Sequence, residues 1–228
     1  MPKQPSKPTQ SLNSREFERV TQTEPATHKK FKILAAGDFH GDSKVTQGLA
    51  DRAYKEKVNL VILTGDITSP IETENLLKPF KEKGQKVVFV PGNWDSSETV
   101  NFLSKLYGIK NIEDNYVVYD NVGVFGIGSP DWQMNLNEKK AFERLKKDFE
   151  KLKSLNLEKK IMVSHIHAAK TKAEFSGIPG STGVRKAIEE FQPDVFIAGH
   201  IHEAEGLSEK IGKTRVYNVG RKGRIIEL

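Results

Sequence analysis

The sequence predicts an α/β fold. Short, near-continuous apolar runs bounded by Gly or Pro recur along the chain, which is how strands buried on both faces read. Stretches with helical spacing lie between most of them, broken at Gly or Pro. Residues 31–228 form one such alternating series, long enough for a single sizeable core.

The elements follow in order. Apolar runs at Phe31–Ala36, Val58–Leu63, Val87–Val90, Ile161–Val163 and Val195–Ala198 predict five buried strands. Helical patterns fit Lys44–Lys57, Ile71–Lys83, Ser96–Tyr107 and Asn137–Leu155. The last is so rich in Lys and Glu that it reads as a solvated helix face. Tyr116–Tyr119 and Val122–Ile127, joined by Asp120-Asn121, predict a hairpin. Further strands are expected near Ala204–Leu207, Arg215–Val219 and Arg224–Leu228. Pro179–Gly183 precedes an amphipathic stretch, Val184–Phe191. A helix start there is an anion site or an ordinary Ser or Thr cap, and the cap is preferred. Asp42-Ser43 is likewise read as the cap of the first helix.

Each predicted buried strand ends at a residue able to ligate a metal. Asp38 and His40 lie in GDFHGD, Asp66 in TGD, Asn93 in PGNWD, His165 in SHIH, and His200 and His202 in GHIH. Open α/β sheets bind ligands beyond the carboxyl ends of their strands, so the five motifs converge on one rim. Extended residues two apart point the same way, roughly 6–7 Å apart along the strand. On that basis Asp38 faces the site with His40, and His200 with His202. Such a pair can straddle two ions about 3.5–4 Å apart. Mixed carboxylate, amide and imidazole ligands suit manganese, iron, zinc, cobalt or nickel, with manganese the first choice. The chain has no Cys, which excludes thiolate ligation and a phosphocysteine route.

D-x-H, G-D, G-N-x-D, a His and G-H-x-H, in that order from Phe31 to His202, resemble the calcineurin-like metallophosphoesterases. Each element alone is common; five in order, each after a predicted strand, are specific. The resemblance implies two sheets packed face to face with helices outside, a four-layer sandwich. It implies that Asp38, His40 and His202 hold one divalent ion, that Asp66 bridges two, and that Asn93, His165 and His200 hold the second. A hydroxide between the ions would be the nucleophile, attacking phosphorus in line with the leaving oxygen. Two divalent ions outweigh two carboxylates and a hydroxide, so the centre favours an anionic substrate.

One position departs from the family pattern. Where most members have G-N-H, this chain has Gly92-Asn93-Trp94. Indole donates one N–H and transfers no proton near neutral pH. A branch of the family lacking that His favours phosphodiesters and often carries H-x-H at the fourth motif, as in His165-Ile166-His167. By strand alternation His167 shares the side of His165. With Asn93 it is therefore a catalytic candidate, its alternatives being an outer hydrogen-bonding role or an exposed loop position. Trp94 is expected on the rim, as packing or as an apolar wall beside substrate.

The net charge of +6 and pI near 9.3 are compatible with nucleotide or nucleic-acid substrates. No aromatic-interleaved basic patch marks a nucleic-acid module, so a phosphate-ester small molecule or nucleotide is the expected partner. Gly123, Gly126 and Gly128 make no dinucleotide fingerprint, and no Walker-type loop appears. Residues 1–30 hold four of the ten prolines and few large apolar residues, and read as a flexible polar tail. No signal-peptide h-region or membrane-length apolar run occurs, so a cytoplasmic protein is expected. The expected activity is phosphodiester hydrolysis; the alternatives are a phosphomonoesterase, a nuclease, or a non-catalytic scaffold of the same fold.

Overall fold

In a computed structural model, residues 30–69, 75–131 and 136–228 are described. The polar segment before Lys30 and the start of the second predicted helix lie outside them.

The apolar runs form two mixed sheets. The first holds β1 (Lys32–Ala36), β2 (Leu60–Leu63), β3 (Val87–Phe89), β4 (Lys110–Asn111) and β11 (Arg224–Glu227), in the order β11-β1-β2-β3-β4. The second holds β5 (Tyr116–Tyr119), β6 (Val122–Ile127), β7 (Lys159–Ser164), β8 (Val195–Ala198), β9 (Ser208–Ile211) and β10 (Thr214–Asn218), in the order β5-β6-β7-β8-β10-β9. The strands carrying the motifs are parallel to their motif-bearing neighbours: β1 with β2, β2 with β3, and β7 with β8. Their carboxyl ends therefore lie together.

Strand alternation divides the core. Ile33, Ala35, Leu60, Ile62 and Val88 meet Val124, Ile161, Val163, Val195 and Ile197 between the sheets. Leu34, Val61, Leu63 and Phe89 point outward onto α1 (Ser43–Lys55), α2 (Lys78–Glu82) and α3 (Ser97–Tyr107). Phe125, Met162 and Phe196 point outward onto α4 (Glu138–Lys153) and α5 (Thr182–Phe191). The result is the four-layer sandwich the resemblance implies, and it explains why the strands read as continuous apolar runs. No helix among the described residues is long and apolar enough to cross a membrane.

Two elements differ from expectation. Within the described residues the second helix is only Lys78–Glu82, with Pro79 in its first turn. Proline lacks an N–H and its ring clashes with a preceding helical turn, so the helix does not extend back through Asn75–Leu77. The strand expected at Ala204–Leu207 is instead a 3-10 turn at His202–Ala204 followed by β9. Gly206 and Gly212 take φ of 92° and 60°, which turns the chain into the β9–β10 hairpin. The Pro179–Gly183 loop is a cap: Ser181 Oγ accepts from Val184 N–H at 3.1 Å, and the Glu138 carboxylate accepts from Ser181 Oγ and Gly183 N–H. That helix start is already supplied with an anion.

Candidate metal centre

The motif residues sit in the turns that follow the strands, and the ligand atoms gather into two groups. Asp38, His40 and His202 form one, and Asp66, His165 and His200 the other; within each, the ligand atoms all lie within 4.8 Å of one another. Asp66 Oδ2 stands between the groups, 3.7 Å from His40 Nε2 and 3.6 Å from His165 Nε2. Asn93 joins the second group, with Oδ1 2.9 Å from His165 Nε2. All seven expected ligands are thus brought together.

The convergence is not the extended geometry the spacing suggested. Asp38, His40, Asp66 and His200 take φ of 57°, 47°, 50° and 70°. These are left-handed conformations, each costing a non-glycine residue about 1–3 kcal/mol, though Asp and His tolerate them better than most. The chain turns sharply at each strand end and aims neighbouring side chains at one point. Backbone bonds hold the turns: Asp38 N–H donates to Gly65 O (2.9 Å), His40 N–H to Asp66 O (2.9 Å) and Gly199 N–H to His165 O (3.1 Å). The loops approach so closely that a Cβ on Gly65, itself at φ 99°, would lie 2.6 Å from Gly92 Cα.

Asp95, for which the motif pattern assigns no ligand role, is also part of the site. It is fully buried and accepts from Ile67 N–H (3.0 Å), Thr68 N–H (2.9 Å), Thr68 Oγ1 (2.8 Å) and Gly92 N–H (2.9 Å). Its carboxylate staples the loop carrying Asp66 to the loop carrying Asn93. Its position two residues after Asn93 was the signal the sequence offered, and its partners lie too far along the chain for spacing to reveal.

The electrostatics ask for cations. His165 Nδ1 donates to Thr64 O at 2.8 Å, which leaves Nε2 as a bare acceptor facing Asn93 Oδ1 and His200 Nδ1, the latter at 3.1 Å. His40 Nε2 and His202 Nε2 stand 3.2 Å apart. Asp38 Oδ1 accepts from His200 N–H, while Oδ2 is buried with no hydrogen-bond partner among the described residues. Burial, and then the charge of Asp66, pushes Asp38 well above the usual carboxylate range. Burial raises Asp66 to about 6. Burial also lowers His165 to about 4 and, with neighbouring imidazoles, His200 to about 3. Neutral imidazoles and unpartnered carboxylate oxygens are the state in which such side chains ligate. A divalent ion in each group would reverse the pressure on the two carboxylates. The residues therefore fit two divalent cations.

His167 belongs to neither group among the described residues. β7 ends at Ser164, so strand alternation does not reach His167. Its Nε2 donates to Ile178 O at 3.2 Å, tying down the loop after the fourth motif, and its Nδ1 is buried without a partner among the described residues. Burial lowers its pKa, so the ring is neutral at pH 7. Trp94 lies on the rim, 40% exposed, with its indole edge-on to His40 at 5.3 Å between centroids. Its backbone N–H donates to Asp66 Oδ1 at 2.8 Å.

The family profile described as calcineurin-like phosphoesterase matches residues 31–204. Among curated proteins, none matches the chain. Solved structures share the fold. A Thermus thermophilus protein superposes with a TM-score of 0.67 at 18% identity, covering 85% of this chain and 91% of that one. A dimetal phosphatase from Danio rerio superposes at 0.61 and 13% identity, covering 84% and 88%. An archaeal phosphodiesterase superposes at 0.50 and 18% identity, covering 87% and 100%.

Proposed function

Since this chain belongs to the calcineurin-like phosphoesterase family, we propose that it is a two-metal phosphodiesterase acting on small esters or nucleotides with acidic leaving groups. The observation that supports this most is Asp66 Oδ2, nearly equidistant from one imidazole of each ligand group. Two divalent cations, one with Asp38, His40 and His202 and one with Asn93, His165 and His200, would supply Lewis acidity and a water-derived nucleophile near neutral pH.

The rest is the work of the chain. Thr64 O fixes the tautomer of His165 so that Nε2 faces inward. Asp95 holds the Asp66 and Asn93 loops in register. Trp94 occupies the position where most relatives present a histidine, so no imidazole there reaches the leaving oxygen. His167 is neutral and donates to a backbone carbonyl; in this reading it holds the loop rather than a substrate proton. Leaving groups must then depart with little proton assistance, which favours aryl and other acidic alcohols. A diester carries one negative charge, and its second ester group can lie against the exposed indole.

The test is the ratio of kcat/KM for bis(p-nitrophenyl) phosphate and p-nitrophenyl phosphate, measured with manganese. The expected ratio is well above one, and Trp94→His should lower it. A wild-type protein strongly preferring the monoester would return it to the phosphomonoesterases. Stoichiometric metal binding with no turnover of either ester would leave a scaffold.

A further inference from the structure

Beside the ligand groups lies an open surface cleft of about 480 Å³ lined by Phe39, His40, Gly41, Asp42, Ser43, Lys44 and Arg221. One wall is a candidate ligand, His40. The other carries two cations, and neither belongs to a family motif.

Arg221 is held for a purpose that the metal groups do not explain. It sits in the crossover from β10 in one sheet to β11 in the other. That crossover is pinned from three sides. Gly37 N–H donates to Gly220 O at 3.1 Å, Arg52 Nη1 donates to Lys222 O at 2.9 Å and to Gly223 O at 3.1 Å, and Lys222 N–H donates to Glu205 at 2.6 Å. The guanidinium is aimed by Asp42, which accepts from Arg221 Nη2 through Oδ2 while its Oδ1 caps α1 through Lys44 N–H and Val45 N–H. Nε and Nη1 of Arg221 make no hydrogen bond to the described residues, and the Lys44 ammonium makes no ion pair among them. A cation anchored at its backbone and oriented by a carboxylate, with donors to spare, is the arrangement that recognises phosphate oxygens.

Resting on the phosphoesterase reading, we propose that this cleft binds a second, non-scissile phosphate of the substrate, with Arg221 and Lys44 as its ligands. Arg221 contributes directional donors and Lys44 a mobile charge. Asp42 keeps Arg221 turned toward the cleft and is a positioning residue. With the ester phosphorus at the metal groups beyond His40, the preferred substrate is then a phosphodiester carrying a further phosphomonoester, as in a 3′-phosphorylated nucleotide ester.

Two esters with one leaving group separate the possibilities: thymidine 5′-(p-nitrophenyl phosphate) and its 3′-phosphorylated counterpart. Wild type should favour the 3′-phosphorylated ester by roughly tenfold in kcat/KM, as one or two charge-assisted hydrogen bonds provide. Arg221→Gln with Lys44→Gln should bring that ratio to about one. Lys44→Gln alone, which leaves the Arg221–Asp42 pair intact, should lower it about threefold. A wild-type ratio near one, or a double variant that loses rate on both esters alike, overturns the proposal. Failure to cleave either ester would instead overturn the phosphoesterase reading, and calorimetry would then decide the cleft alone. Tighter binding of thymidine 3′,5′-bisphosphate than of thymidine 5′-monophosphate by wild type, lost in the double variant, supports the subsite; equal binding by wild type overturns it.

Discussion

The two ligand groups meet at the Asp66 carboxylate but differ in surroundings. The inner group, Asp66, His165 and His200, has two buried members, one of them a fully buried imidazole locked by Thr64 O. The outer group, Asp38, His40 and His202, runs from buried Asp38 to exposed His202 and is bordered by Trp94 and the Arg221 cleft. The inner group is built into the buried interior. The outer one reaches the surface through His202. The two groups thus differ in burial, and that difference can be tested.

The largest effect should come from removing the carboxylate where the groups meet. Asp66→Asn takes away the carboxylate that stands between them. A loss of several kcal/mol of charge stabilisation corresponds to roughly a thousandfold fall in kcat. Metal analysis should show the stoichiometry falling with the rate. Near-native turnover with manganese in excess would remove the two-group assignment.

A paired substitution tests the inner–outer contrast directly. His165→Ala opens a buried space and leaves Thr64 O unpaired, so it should destabilise the protein by about 2–4 kcal/mol. His202→Ala, at an exposed position, should leave stability within about 0.5 kcal/mol while still reducing metal content. Denaturant midpoints of both metal-free variants read the difference. Equal midpoints would mean that the inner group is no more part of the core than the outer.

The smallest effect is a pH dependence of ion binding. In metal-free protein Asp66 titrates at about 6, above its ordinary value, and Asp38 lies well above its own. A cation must displace those protons at lower pH, so its stabilising effect is complete above the raised values and is lost as pH falls through about 6. His165 and His200, at about 4 and 3, are already neutral and do not compete in that window. The rise in Tm on adding manganese, measured from pH 8 to pH 5, should shrink across it. For the metal-free protein the signs oppose. The raised Asp66 contributes stability that is lost as pH rises from its unfolded value through 6. The depressed histidines contribute stability that is lost as pH falls below their unfolded value of 6.5. A Tm gain independent of pH would show that Asp66 meets no cation.

Much of this molecule was legible in the chain because burial writes itself into composition. A strand covered on both faces has to be apolar along its length, so β1, β2, β3, β7 and β8 were visible as runs. A ligand at a parallel strand end has to follow such a run, so the order of Asp38, Asp66, Asn93, His165 and His200 was visible too. Caps read as well, since Asp42 and Ser181 act within three residues of themselves. What tertiary structure alone decided depends on contacts between distant segments. Spacing suggested extended Asp38–His40 and His200–His202 pairs, but backbone bonds from the neighbouring loops bend Asp38, His40 and His200 into left-handed conformations, and His202 opens a 3-10 turn. Alternation suggested where His167 points, but the strand stops at Ser164 and it is Ile178 O, eleven residues on, that holds its Nε2. Nothing near Asp95 announces the Ile67 and Thr68 donors that it satisfies, and nothing near Arg221 announces Asp42, 179 residues earlier. Local chemistry chose which residues could form a site; long-range hydrogen bonds, which leave no periodic trace in a sequence, chose where each of them points.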